Sequence, residues 1–178
     1  MAKPAKSEFD ILSSDDKRSS VEERWVSFQP YFLSKGYRLR PRYDPNWVPS
    51  WKGTDLEPSE CEDSIDSMPL RVLDATRIKD NRQVIIKLLK PQEGREGQEE
   101  LAILQHFATP PLRDDVSNHV VPCWDTFPIP GERGCFIVMP LLGRYDEPAF
   151  DRISEVHDFL QQLFEGLEFM HKNDIAHW

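Results

Sequence analysis

Basic residues are in short supply. The 178-residue chain has 22 lysines and arginines against 31 aspartates and glutamates, a formal charge of −9. That balance argues against a phosphate-backbone partner, since nucleic-acid binding needs a basic face. The local cluster Arg38, Arg40 and Arg42 reads as a solvated face. Cysteine is scarce too: Cys61, Cys123 and Cys135 form no CxxC pair and leave an odd count. This spacing argues against a disulfide framework or a metal site and suits reduced thiols inside a cell. No run approaches the roughly 18–20 apolar residues of a membrane span, and the first 20 residues lack an apolar core of signal-peptide length. The expectation is a soluble, intracellular protein with neither a nucleic-acid nor a membrane partner; cytoplasm and nucleus are not distinguished.

The residues that are present fall into blocks. Residues 1–19 are polar and predict a disordered start. "SVEE" then offers a capping hydroxyl at Ser20 and a carboxylate at Glu23, the S-x-x-E signature of a helix start. Trp25, Phe28, Phe32 and Leu33 follow at helical spacing; Pro30 is a candidate kink and Gly36 a candidate stop. The stretch 37–51, "YRLRPRYDPNWVPSW", reads as an extended aromatic arm anchored by Trp47 and Trp51, closing a block of 20–54. Residues 55–67 hold six acidic residues and no basic one, which predicts a solvated linker over 55–68.

Regular structure is expected from residue 69 onward. "LRVLDATRI" and "RQVIIKLL" are β-rich runs around a turn at Lys79-Asp80-Asn81. Residues 94–108 read as a helix ended by Thr109-Pro110-Pro111, with Leu101, Leu104 and Phe107 or Ala108 on one face. "HVVPCWDTFPI" and "CFIVMPLL" give two more strands around Pro130-Gly131. Residues 154–171 form the clearest amphipathic helix, with Val156, Phe159, Leu160, Leu163, Leu167 and Met170 on one stripe. The order helix, arm, linker, β-β-α-β-β, helix predicts an α+β fold: a small antiparallel sheet with a helix packed on it.

Lys87 is the first residue to draw chemical attention, because its strand, Val84–Leu89, is otherwise apolar. An unpaired ammonium in a buried strand is costly, so it needs a carboxylate or an anionic ligand. On the next helix Glu100 borders the face of Leu101 and Leu104, with Glu96 and Gln98 as weaker candidates. The alternative is that Lys87 snorkels from an edge strand.

Order and spacing give these residues a context. "VIIK" (84–87), "EELAIL" (99–104), "FIVMPLL" (136–142) and "GLEFMHKNDIAH" (166–177) follow one another as in a protein-kinase signature. The chain resembles the N-terminal lobe, hinge and first large C-lobe helix of a protein kinase. More narrowly, "GYRLRPRYDPNWVPSW", "EDSIDS", "VLDATRIKDNRQVIIK" and "NHVVPCWD" are similar to fungal-type protein kinase-like domains, over about residues 21–177. The resemblance implies an N-lobe and hinge over 69–143 and the start of a C-lobe over 144–178. It implies ATP-dependent phosphorylation of protein serine or threonine as the family activity. It further implies that Lys87 contacts the α- and β-phosphates of ATP, Glu100 holds Lys87, Val72 covers the adenine, Met139 is the gatekeeper, and Pro140 to Leu142 form the hinge. Pro140 would offer its carbonyl and Leu142 its N–H.

Three departures weaken that implication. No glycine precedes Val72 in "EDSIDSMPLR", so backbone N–H groups lack the close approach to phosphate that glycine permits. Ile85 stands where the signature has alanine, and its bulk would crowd the adenine. The chain stops at Trp178, after His177, which matches the catalytic-loop histidine; the catalytic aspartate, the metal-binding asparagine and the D-F-G aspartate would all lie further on. The expectation is weak ATP contact, no magnesium held by this chain alone, no phosphate transfer, and an apolar face on 154–171 that seeks a protein partner. A pseudokinase-type interaction module and a weak ATP-binding fragment are the alternatives.

Overall fold

The computed structural model describes residues 16–64, 70–90, 96–145 and 147–176. It is an α+β molecule with three α-helices and five strands among those residues. The strands lie in the sheet order β1-β2-β3-β5-β4: β1 is Tyr37–Leu39, β2 Val72–Arg77, β3 Arg82–Leu89, β4 Asp125–Pro128 and β5 Cys135–Pro140. The chain divides into two compact units, residues 1–87 and 88–178. The division falls inside β3.

In the first unit, helix α1 (Ser20–Ser34) begins one residue earlier than the capping pattern suggested. Ser19 is the cap: its Oγ accepts from the Glu22 N–H, and the Glu22 carboxylate accepts from the Ser19 N–H at 2.7 Å. Both "SSVE" and "SVEE" fit the S-x-x-E pattern, and burial chooses between them, since Ser19 and Glu22 are buried while Ser20 and Glu23 face solvent. Pro30 sits on the exposed side and the helix runs through it. Gly36 ends the helix with φ 86°, a conformation open to glycine without a Cβ penalty. Trp25, Phe28 and Phe32 interlock along the buried side, with Trp25 and Phe32 stacked at 6.1 Å.

The chain then enters β1 rather than an extended arm. Tyr37, Arg38 and Leu39 pair with Arg77, Thr76 and Ala75 of β2, and the Leu39 N–H is taken by the Gln29 side chain of α1 at 3.2 Å. The β2–β3 hairpin turns through Asn81, at φ 55°, where the sequence placed it. Leu73 and Ala75 of β2 and Val84 and Ile86 of β3 are at most 1% exposed; their neighbours point to the opposite face and are more open. The apolar run of β3 is therefore not buried on both faces as its composition suggested.

The segment expected as a solvated acidic linker is built into this unit. Asp63 is buried and accepts three hydrogen bonds: from Trp47 Nε1 at 2.8 Å, Ser50 N–H at 3.0 Å and Ser50 Oγ at 2.5 Å. Short 3-10 turns at Pro41–Tyr43, Pro58–Glu60 and Glu62–Ser64 shape the path. Arg42, assigned from sequence to a solvated face, is fully buried and ion-paired to the equally buried Glu22. Its guanidinium also donates to the Lys17 and Asp63 carbonyls at 3.0 and 3.2 Å. Arg18, expected in a disordered start, donates to the Arg42 and Asp44 carbonyls and to Glu23. Residues 1–15 and 65–69, the rest of those two segments, lie outside the described residues.

In the second unit, helix α2 (Glu96–Phe107) carries buried Phe107, and α3 (Ile153–Lys172) carries buried Gly166 and Phe169. The rings of Phe107 and Phe169 lie 5.7 Å apart. Strands β4 and β5 pair from Asp125↔Val138 to Pro128↔Cys135, joined by a turn with Gly131 at φ 70°. Gly134 has φ 114°, and a Cβ there would stand 2.2 Å from the Leu89 carbonyl oxygen, so only glycine fits. The strand expected over 119–129 is confined to its end. The part before it is held by Asn118, whose amide donates to the Phe107 and Leu112 carbonyls and accepts the Val120 N–H.

The α3 stripe predicted from sequence is not its buried side. Val156, Phe159, Leu167 and Met170 are half-buried, and Leu160 and Leu163 are exposed. The glycine side is buried instead, because Gly166 lets the helix approach His119: a Cβ at 166 would lie 3.1 Å from the His119 Cβ. His119 Nε2 also meets Glu165 Oε2 at 3.0 Å beside it.

Candidate functional site

The candidate residues fall in both units. In the first, the β2–β3 register sets Val72 directly opposite Lys87, Asp74 opposite Ile85 and Thr76 opposite Gln83. Side chains alternate along a strand, so these six share the sheet face that the core does not use. Val72 is 42% exposed, and Ile85 and Lys87 are half-buried. Three residues singled out from sequence, Val72, Ile85 and Lys87, thus form one continuous patch, with the ammonium at one end and apolar side chains beside it. Lys87 is neither in a fully buried strand nor fully in solvent.

Arg40 adds to this face and was missed. The β1–β2 pairing ends at Leu39↔Ala75, and Arg40, the next residue, is ion-paired to Asp74 with its Nε 3.0 Å from Oδ1. Its side chain is 14% exposed. The guanidinium carbon lies 5.7 Å from the centre of the fully buried Tyr43 ring. From sequence Arg40 was one of three basic residues in a presumed arm. Only the strand pairing of Tyr37–Leu39, signalled weakly by the alternation Tyr37-Arg38-Leu39, could have placed it.

In the second unit, Glu100 is half-buried on α2. Its charge is felt at Cys135 on β5: burial first, then the Glu100 carboxylate, raises that thiol above its ordinary range. Cys123 is raised as well, by burial and then by Asp125 and Cys135. Both thiols therefore stay protonated at neutral pH. All three cysteines are free. Met139 and Pro140 end β5 half-buried, and Leu142, just beyond it, is 60% exposed. His177 lies outside the described residues.

Helix α3 presents a second feature. Ile153, Leu160, Leu163 and Phe164 are 86%, 41%, 45% and 64% exposed; at 100° per residue they share an arc of about 100°. Among the described residues no group of three or more His, Cys, Asp or Glu is placed to hold a metal ion, and no helix is long and apolar enough to cross a membrane. No protein-family model and no curated protein matches the chain.

Proposed function

We propose that the chain carries the nucleotide-facing lobe of a protein kinase-like domain and contacts ATP weakly through Lys87. The observation that carries this reading is the shared open face of Val72, Ile85 and Lys87 on the β2–β3 hairpin. A nucleotide needs apolar cover for its base and a cation for its phosphates, and this patch supplies both side by side. The chain order supports the same reading: the lysine strand is followed by a helix bearing Glu100, two further strands, and a long helix. In this reading Lys87 contacts the phosphates and Val72 covers the adenine. Ile85 narrows the base site, and the glycine-poor β1–β2 connection gives the phosphates few backbone donors, so affinity is low.

The test is thermal unfolding with and without ATP. Binding raises the midpoint by mass action, by about 1.4 kcal/mol of stability at ligand ten times Kd. The rise should disappear in Lys87→Ala.

A second reading, a protein-interaction module, is favoured by the open arc of Ile153, Leu160, Leu163 and Phe164 on α3. In that case stability and assembly depend on protein concentration and not on ATP.

A further inference from the structure

The β1–β2 connection, residues 40–71, contains a single glycine, Gly53, and its described part up to residue 64 is folded around Asp63, Trp47 and Arg42. Its sequence lacks the glycines that let a glycine-rich loop bring backbone N–H groups close to a polyphosphate. If the open face takes nucleotide, side chains must neutralise the phosphates, and Lys87 alone supplies one charge against three or four.

We infer that Arg40, held by Asp74, is a second cationic contact for a polyphosphate on the Lys87 face. This inference rests on the nucleotide reading above. Arg40 and Lys87 belong to the same sheet face, two strands and one cross-strand row apart. With strands about 4.8 Å apart and a rise of about 3.3 Å per residue, their backbones lie roughly 12 Å apart. Two long side chains with a polyphosphate between them span that gap. Arg40 is suited to the task by type and by support. A guanidinium presents a planar fork that matches two phosphate oxygens at once. Its guanidinium is ion-paired to Asp74, with Nε 3.0 Å from Oδ1, and its carbon lies 5.7 Å from the centre of the buried Tyr43 ring, so little side-chain freedom is lost on binding.

The experiment is a calorimetric titration of the full chain and two variants, Arg40→Gln and Lys87→Ala, with ATP, adenosine and inorganic tripolyphosphate. The expected result is that Arg40→Gln weakens ATP and tripolyphosphate by about tenfold and leaves adenosine unchanged, while circular dichroism shows an unchanged fold. ATP binding that needs Lys87 but is the same in Arg40→Gln overturns the inference and leaves the nucleotide reading intact. Tripolyphosphate binding that needs both cations, with no gain from the nucleoside, upholds Arg40 and overturns the nucleotide reading. No binding of any of the three ligands overturns both. Should Arg40→Gln fail to fold, Arg40→Lys carries the test: it keeps the charge and loses the fork, and should weaken tripolyphosphate several-fold, whereas unchanged affinity contradicts a forked contact.

Discussion

Arg42 and Glu22 are both fully buried and meet as an ion pair, and the arginine fastens three segments through the carbonyls of Lys17 and Asp63 as well. Removing one partner of such a pair strands the other charge away from water and costs about 3–5 kcal/mol. Arg42→Ala should therefore lower the urea midpoint of unfolding sharply, where Arg38→Ala, at an exposed position, should leave it within experimental error. Asp63 makes a prediction about acid. Burial pushes its carboxyl up, but hydrogen bonds from Ser50 Oγ, Trp47 Nε1 and the Ser50 N–H outweigh that and hold it below the ordinary value of 3.8. A folded-state pKa below the unfolded one contributes stability that is present above 3.8 and is lost as pH falls through the lower, folded value. Ser50→Ala removes one of those donors and brings the folded value back toward the unfolded one, so the variant should be less stable than the parent at neutral pH and lose less further stability on acidification, in denaturant titrations at a series of pH values followed by tryptophan fluorescence. Cys135 tests the place of Glu100: in Glu100→Gln the thiol should titrate lower and alkylate faster at pH 8. Unchanged alkylation would remove the carboxylate from that side of β5.

At the scale of elements, periodicity predicted what local chemistry controls and missed what tertiary contacts decide. The β2–β3 hairpin, the glycine stop after α1 and the Pro130-Gly131 turn were readable because Asn81, Gly36 and Gly131 each take positive φ. The cap of α1 was off by one residue because two overlapping sequences satisfy the same pattern. Only the contact of Glu22 with Arg42, twenty residues away, breaks the tie. Ser19→Ala should cost about 1 kcal/mol and Ser20→Ala close to nothing by denaturant titration; the reverse order would restore the capping register first read from sequence. Strand β1 was invisible for a similar reason: three residues between two helix-breaking stretches carry almost no periodic signal, and Tyr37–Leu39 becomes a strand only because β2 is there to pair with it. The buried side of α3 was misjudged because hydrophobicity marks the apolar side, whereas closeness of approach at Gly166 decides which side is covered. Gly134→Ala should destabilise the β4–β5 turn by about 1–3 kcal/mol, since its Cβ would collide with the Leu89 carbonyl.

For the whole molecule, the α+β class and the succession of β2 to β5 followed from apolar runs and turn residues, whereas the grouping of Val72, Ile85 and Lys87 on one open face came only with the register of the β2–β3 hairpin. The acidic segment 55–64 was not legible, because composition alone treats every carboxylate as solvated, and Asp63 spends its charge inward on Trp47 and Ser50. A net charge of −9 makes the cationic pair Arg40 and Lys87 matter more: an anionic ligand approaching this chain meets repulsion unless local charge offsets it. The central claim is that the open face of the β2–β3 hairpin receives a nucleotide through Lys87, and thermal unfolding at millimolar ATP measures it most directly. The predicted result is a rise of about 2–4 °C in the parent chain that is absent in Lys87→Ala at equal baseline stability. An unfolding midpoint that ATP does not move, or moves equally in both proteins, would contradict it.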